Sequence, residues 1–456
     1  MIMETSRNSQ SNSNPSFGEG QGVGSLLIIG AGPGGYRAAE LAAKRGLQVV
    51  IVEQDEVGGT CLNRGCIPTK TYVHSATFEE AFERQQAVVQ QLRSGVEGIL
   101  AHPNIKLIRG HASFVSPNEV QVLPLQADSE GVRLAANNII IATGSKPKLL
   151  PLPDIDDPRV VTSTELLALS PDSLPVGSKL CIIGAGVIGM EFASVFQRFG
   201  MEVTVIEYLK ECLPMLDSDI AKRLRKLLEK RGITFRMKTA VQSLADIDAD
   251  VILMATGRQA NTDGLNLEAA GIVLDARGNI PVDENFRLPL SLERAGGEAA
   301  LYAIGDVNGR QMLAHAAEAQ ASVVIEHILN KSPLTTYHSL LTIMPAAIFT
   351  EPEAACVGLS EDQLKEQGVP YLCGRAFHRA NGKALAMGET DGMVKLLSDA
   401  DGKIVGCHAF GAHAADIVQE VSVLMCRDTN VEQLRHMVHI HPTLGELLLD
   451  AANAMR

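Results

Sequence analysis

One arrangement occurs twice in this chain and leaves few folds open to it. It is a short apolar run, three glycines spaced GxGxxG, a helical stretch, a second apolar run and an acidic residue. The first copy begins at Ser25 and reads SLLIIGAGPGGYRAAELAAKRGLQVVIVEQD, with Gly30, Gly32 and Gly35 as the glycines and Glu53 as the acid. The second begins at Lys179 and reads KLCIIGAGVIGMEFASVFQRFGMEVTVIEYLKE, with Gly184, Gly186, Gly189 and Glu207. The distance from first glycine to acid is the same in both. The apolar runs, Leu26 to Ile29 and Gln48 to Val52 in the first copy, predict strands buried on both faces of a parallel sheet. The first glycine permits a tight turn, the second lets a pyrophosphate approach the backbone at a helix N-terminus, and the third lets helix and strand pack closely. The acid would accept from ribose hydroxyls. Two such units predict two dinucleotide sites. The carboxylate of Glu207 repels a 2′-phosphate, which favours NAD over NADP, and Lys210 is the only cation close behind it.

Further segments extend this plan. NIIIATGSKP from Asn138 and VILMATGRQA from Val251 each read as a strand ending in Ala-Thr-Gly, suited to returning a crossing chain to its own nucleotide domain. ALYAIGDVNG from Ala300 is a strand ending at Gly305-Asp306, and an acid there can bind a polyhydroxyl chain. If that strand completes the first domain, the first domain is discontinuous, with the second inserted. Periodicity alone leaves these strands equally open to a plain core reading. The expected fold class is α/β: two Rossmann-like three-layer domains followed by an α+β C-terminal domain. The expected domains are residues 25–156 with 280–337, then 157–279, then 338–456. The last alternates short apolar strands (Ala346 to Phe349, Gly392 to Leu397, Gly402 to Phe410) with amphipathic helices (Ala414 to Cys426, Val431 to His436), a composition suited to pairing with a copy of itself.

With 456 residues the chain is too long for one compact core. A formal net charge of −13 argues against nucleic acid or an anionic membrane as the main partner. No run of 18 apolar residues marks a membrane span. Residues 1–24 are rich in Ser, Asn and Gly, lack an apolar signal core, and set Glu4 and Glu19 against Arg7, a poor transit peptide. They read as a disordered tail, and the protein as cytoplasmic.

Eight cysteines are scattered, and only Cys61 and Cys66, in GGTCLNRGCIPTK, form a close pair. This is not a cysteine-dense secreted framework. Three readings stay open for the pair. A zinc site needs four ligands. No second close pair exists, and His74, the nearest histidine, cannot complete a site alone. A static disulfide and a redox-active pair remain. If the segment to Lys70 starts a helix, the helix dipole and Lys70 both favour thiolate.

From Ser25 to Arg456 the chain resembles the flavin disulfide reductases (the class I pyridine nucleotide-disulfide oxidoreductases), and among them the dihydrolipoamide dehydrogenases. The resemblance is carried by IIGAGPGGY, GGTCLNRGCIPTK, ATGSKP, IIGAGVIGMEFASVFQRFG, YAIGDV, MLAHAAEAQA and HIHPTLGE. It implies FAD and NAD as cofactors, a homodimer, and oxidation of dihydrolipoyl groups carried by a 2-oxoacid dehydrogenase complex or a glycine cleavage carrier protein. Cys61 would exchange with the substrate disulfide and Cys66 would lie against the flavin. Lys70 would approach the flavin N5, paired with Glu191. Glu53 would hold the FAD ribose and Ala112 would meet its adenine. Thr60, Thr143, Gly144 and Ser145 would line the FAD, Asp306 would hold the ribitol, and Met312, Leu313, Ala314 and His315 would lie near the ring system. Gly184, Gly186, Gly189, Glu191, Glu207, Val241 and Gly257 would line NAD. His441, five residues before Glu446, would be the acid/base, oriented by that carboxylate and delivered from the other subunit. His439 would have a structural role.

Four rivals are weaker. A mercuric reductase shares the cysteine motif but usually has a cysteine pair near its C-terminus, where this chain has Cys426 as its last. A glutathione reductase prefers NADP, against Glu207. A soluble transhydrogenase lacks the cysteine pair. A non-catalytic flavoprotein scaffold has no use for Cys61, Cys66, Lys70, Glu191, His441 and Glu446 together.

Overall fold

The computed structural model describes residues 26–125, 131–289, 300–329 and 341–455. The segment read as a tail, residues 1–24, lies outside them, as do parts of the expected domain 280–337 and the first and last residues of the expected C-terminal domain.

Each glycine-spaced unit builds a parallel sheet around its first strand. In the first sheet the order is Ala300–Ala303, Asn138–Ile141, Leu26–Ile29, Val49–Glu53, Ile105–Ser116, Glu119–Pro124 and Val132–Ala135. The first five are mutually parallel, and the last two add an antiparallel extension. Alternation along Leu26–Ile29 divides the core: Leu26 and Ile28 join one cluster and Leu27 and Ile29 another. Both faces are therefore covered, which is why these strands read as unbroken apolar runs. Burying each such side chain contributes roughly 1.5–3 kcal/mol. The second sheet runs Thr234–Arg236, Glu202–Ile206, Lys179–Ile183, Val251–Met254 and Val160–Val161, all parallel. Its central strand divides in the same way, with Leu180 and Ile182 on one side and Cys181 and Ile183 on the other. The strand from Ala300, far along the chain, completes the first sheet, while the whole second sheet lies between in sequence.

The third sheet is antiparallel, in the order Ala346–Ile348, Ala354–Gly358, Ile404–Phe410, Met393–Asp399 and Tyr371–Phe377. Helices Ala414–Cys426 and Glu446–Asn453 pack on it through Ile417, Val418, Val421, Leu447 and Leu448.

An aromatic cluster joins the cysteine segment to the second unit. Tyr72 and Phe78 meet Phe196 and Phe199 on the second unit's helix Val187–Arg198, with ring centroids 5.4–6.3 Å apart. Arg198 Nη2 adds a bond to Tyr72 O at 2.8 Å. This contact holds the cysteine helix and the second glycine loop on facing walls of one cavity.

Candidate active site

The cysteine segment is two helices and not one. Gly59–Arg64 carries Cys61, and Cys66–Val73 begins at Cys66. The break falls at Gly65, where a Cβ would stand 2.9 Å from Thr60 O. The N-terminal end of the second helix therefore acts on Cys66 and not on Cys61. Both cysteines are free thiols in this structure. The hydrogen bond from Cys61 pulls the Cys66 thiol down to about 7, against burial and with help from Lys70. The same bond pushes Cys61 up. The pair thus holds one thiolate, on Cys66.

Lys70, one turn further on, places Nζ 2.9 Å from both carboxylate oxygens of Glu191. Glu191 is buried on the second unit's helix. Its Oε1 also accepts the Phe349 N–H at 2.9 Å, and Lys70 Nζ lies 4.7 Å from the Phe349 ring centroid. Three separate parts of the chain meet at this ion pair.

Around these groups lies a cavity of about 1230 Å³. That exceeds the roughly 300–1000 Å³ usual for one small ligand. Its lining includes Thr60, Cys61, Cys66, Lys70, Gly30, Gly32, Glu53, Ala112, Thr143, Gly144, Ser145, Asp306 and Met312 to His315 from the first set of expected residues. From the second set it includes Gly184, Gly186, Glu191, Glu207, Val241 and Gly257. Two expected cofactor-binding residues are corrected. Gly35 and Gly189 do not line the cavity; a Cβ there would stand 1.9 Å from Gly30 O and 2.0 Å from Gly184 O. They serve the helix-on-turn packing that the motif assigns to its third glycine.

The cavity has the features a dinucleotide needs. Gly186, Gly144 and Gly257 each face open space where a side chain would sit. Glu53 Oε2 accepts the Ala31 N–H at 2.6 Å and Oε1 the Asp55 N–H at 2.8 Å. Glu207 repeats this with Ala185 at 2.6 Å and Leu209 at 2.7 Å. These bonds fix each carboxylate at the end of its strand. Burial raises the Glu53 carboxyl despite the Ala31 bond, so a hydroxyl donor arriving from a ligand would relieve it. Asp306 is likewise raised by burial, opposed by Ser145 Oγ at 2.5 Å.

Arg258 was not among the expected residues, yet it lines the same cavity. Its Nε donates to Ser145 Oγ at 2.7 Å and its Nη2 to Ser145 O at 2.7 Å, and its Nε lies 4.0 Å from Asp306. Burial lowers its pKa. Ser145 and Arg258 each follow an Ala-Thr-Gly, and the strands they start pair antiparallel. The available signal is that repeated tripeptide: the residue after its first copy, Ser145, is an expected site residue, and Arg258 holds the matching place after the second.

His441 and Glu446 stand apart from the cavity within one chain. Glu446 accepts from Thr443 N–H at 2.9 Å and lies 2.9 Å from His441 Nδ1. These two contacts, that of Thr443 first, lower the Glu446 carboxyl. The imidazole is 80% exposed, and Ile440 and Val438 beside it are 80% and 99% exposed. Apolar side chains displayed this fully mark a surface that packs on something else. His439 is tied down separately, by Glu420 at 3.1 Å.

Residues 24–321 match the model of the pyridine nucleotide-disulphide oxidoreductases, and residues 344–452 match that family's dimerisation domain. The chain belongs to this family. The geometry above sets a close cysteine pair in the wall of a cavity lined by both glycine units. The mitochondrial dihydrolipoyl dehydrogenase of Pisum sativum is 35% identical, over 99% of this chain and 95% of its own length. The dihydrolipoyl dehydrogenase of Bacillus subtilis strain 168 is 36% identical, over 94% and 97%. Among solved structures, the Cu(II) complex of the HOCl-induced flavoprotein disulfide reductase RclA from Escherichia coli superposes with a TM-score of 0.85 at 29% identity, covering 95% of this chain and 99% of that one. Among the described residues, no helix is long and apolar enough to cross a membrane.

Proposed function

We propose that this oxidoreductase oxidises dihydrolipoyl groups to lipoyl groups and reduces NAD⁺ to NADH. Its cofactors are FAD and NAD. The observation that carries the reading is the Cys61–Cys66 pair set beside Lys70 in the wall of one cavity lined by both glycine units. We assign the first cradle, with Glu53, Ala112 and Asp306, to FAD, and the second, with Glu207, Val241 and Gly257, to NAD. The corresponding domains are 25–156 with 280–337, 157–279, and the dimerisation domain 338–456.

In the oxidised protein the cysteines form a disulfide. One substrate thiolate attacks Cys61 Sγ, the Cys61–Cys66 bond breaks, and Cys66 leaves as the thiolate its surroundings favour. The second substrate sulfur attacks the mixed disulfide, closing the lipoyl ring and releasing Cys61. His441 of the partner subunit takes the substrate proton, with Glu446 beside it holding the imidazole. The Lys70–Glu191 pair keeps a cation next to the reacting sulfur. Glu53, Ala112 and Asp306 would hold FAD, which would supply the two-electron chemistry linking the cysteine pair to NAD⁺. The exposed apolar surface around Val438 and Ile440 supports a homodimer that brings His441 to the other chain's cysteines. Eight free thiols suit a reducing cytoplasm. The substrates would be lipoyl-bearing domains of a 2-oxoacid dehydrogenase complex or a glycine cleavage carrier.

An anaerobic assay tests this reading. Purified protein with dihydrolipoamide and NAD⁺ is expected to form NADH rapidly, and with NADP⁺ to form little NADPH. Flavin that NADH reduces, in a protein that does not turn over dihydrolipoamide, would discard the lipoyl substrate.

A further inference from the structure

The loop that leaves Glu207 is anchored at its far end by the antiparallel sheet of the dimerisation domain. Lys395 sits on the strand Met393–Asp399 with its side chain 1% exposed. Its Nζ lies 2.5 Å from Asp217 Oδ1, 2.8 Å from Glu361 Oε2 and 3.9 Å from Asp219 Oδ2. Asp217 is equally buried and fully used. Its Oδ1 also accepts the Asp219 N–H at 3.1 Å, capping the helix Ser218–Lys230, and its Oδ2 accepts the Glu361 N–H at 3.0 Å. Its own N–H donates to His408 Nδ1 at 3.0 Å. Burial lowers His408 to about 4, so the ring is neutral and free to accept. Glu361 takes further bonds from Arg375 and Tyr371, and Ser218 donates twice to Asp362. Only His408 Nε2 in this network lacks a partner, and a buried network bonded this extensively restrains the backbone that carries it.

The loop it holds forms part of the cavity wall through Tyr208, Leu209 and Pro214. In the same loop, just before Pro214, stands Leu213, fully buried at φ +49, with its N–H bonded to Ala185 O in the glycine turn at 2.9 Å. The first unit makes the same contact with a glycine: Gly58, at φ +94, donates to Ala31 O at 2.8 Å. A leucine in the left-handed region persists only where its surroundings over-determine it. Here the surroundings include an ion cluster four residues on, in another sheet.

We infer that Lys395 is a positioning residue for the pyridine nucleotide: from the dimerisation domain it clamps the loop Tyr208–Asp217 and so sets the affinity of the second cradle for NAD. The inference rests on the reading of that cradle as the NAD site. It gives the dimerisation domain a second task besides presenting His441.

The test uses the full-length protein with its flavin. Lys395→Met removes the cation and keeps the length of the side chain. NAD⁺ binding by calorimetry is expected to weaken about tenfold, while flavin reduction by dihydrolipoamide without NAD⁺ stays within about twofold of wild type. Should Lys395→Met fail to fold, Asp217→Asn keeps the helix cap and removes the facing charge. It is expected to show the same split at smaller amplitude. A folded variant that binds NAD⁺ as wild type does overturns the clamp. So does a parallel loss of nucleotide binding and flavin reduction, which is the mark of a merely structural role. Wild-type protein that does not bind NAD⁺ overturns the nucleotide reading itself, and the clamp with it.

Discussion

The two glycine cradles follow the same backbone path and differ in what lies over them. Gly30 and Gly184 turn at φ +102 and +108, and Glu53 and Glu207 take the same backbone bonds at 2.6 Å. In the first cradle, however, Gly59 of the cysteine helix lies across the loop, so close that a Cβ on Gly59 would stand 2.7 Å from Gly32 Cα. In the second, nothing lies within 4 Å of where a Gly186 side chain would be. Glu53 is 8% exposed, while Glu207 is only partly buried. A covered cradle retains its ligand and an open one exchanges it. That difference divides the labour in our account: the resident FAD under the redox helix, and a coming and going NAD opposite. The fifth position of each motif also differs. Both Gly34 and its counterpart Ile188 line the cavity, but a Cβ at Gly34 would stand 3.2 Å from Ile304 and 3.3 Å from Ala317.

The comparison can be broken in several ways. The largest effect is expected from Cys66→Ser, which leaves both cradles intact and should abolish dihydrolipoamide-dependent NADH formation. A scaffold would tolerate it, and measuring turnover beside retained flavin separates the two. His441→Gln, outside both cradles, should slow turnover by about 10²–10⁴-fold, the usual contribution of a general acid–base group, without altering NAD⁺ affinity. The cradles themselves are distinguished by a matched pair. Gly59→Ala meets backbone and a left-handed φ, which costs an L-residue roughly 1–2 kcal/mol before any clash; it should lower the melting temperature and shed flavin. Gly186→Ala meets empty space, so stability should hold while NAD⁺ binding falls about tenfold by calorimetry. The smallest effect is pH. Because the Cys66 pKa is lowered, to about 7, its thiolate exists above that pH and is lost below it. The ultraviolet thiolate absorbance of the reduced protein should fall as pH drops through 7, and Lys70→Met should move that fall to higher pH.

The strands were legible because both faces of a parallel sheet are covered, so each strand announces itself as an apolar run between glycine and acid. The acids Glu53 and Glu207 were legible from spacing, since strand length fixes where the carboxylate stands. Other features depend on contacts that spacing does not encode. Arg258 gains its meaning from Ser145, which stands far earlier in the chain and meets it only where two short strands pair. The break at Gly65 falls on a glycine after Arg64, a stop that sequence permits without requiring, and a Cβ there would stand 2.9 Å from Thr60 O. Lys395 stands on an inner strand of the third sheet, and its burial depends on Asp217, the cap of a helix far earlier in the chain. His441 was expected as the acid/base from the family resemblance, with Glu446 five residues on; that contact is present, and within one chain the pair stands apart from the cavity.

The central claim is that one cradle is covered and the other open, and exhaustive dialysis of purified protein loaded with both FAD and NAD⁺ tests it most directly. The account predicts one FAD retained per chain and no NAD⁺, with NAD⁺ rebinding rapidly and reversibly. Loss of FAD alongside NAD⁺, or retention of both, would contradict it.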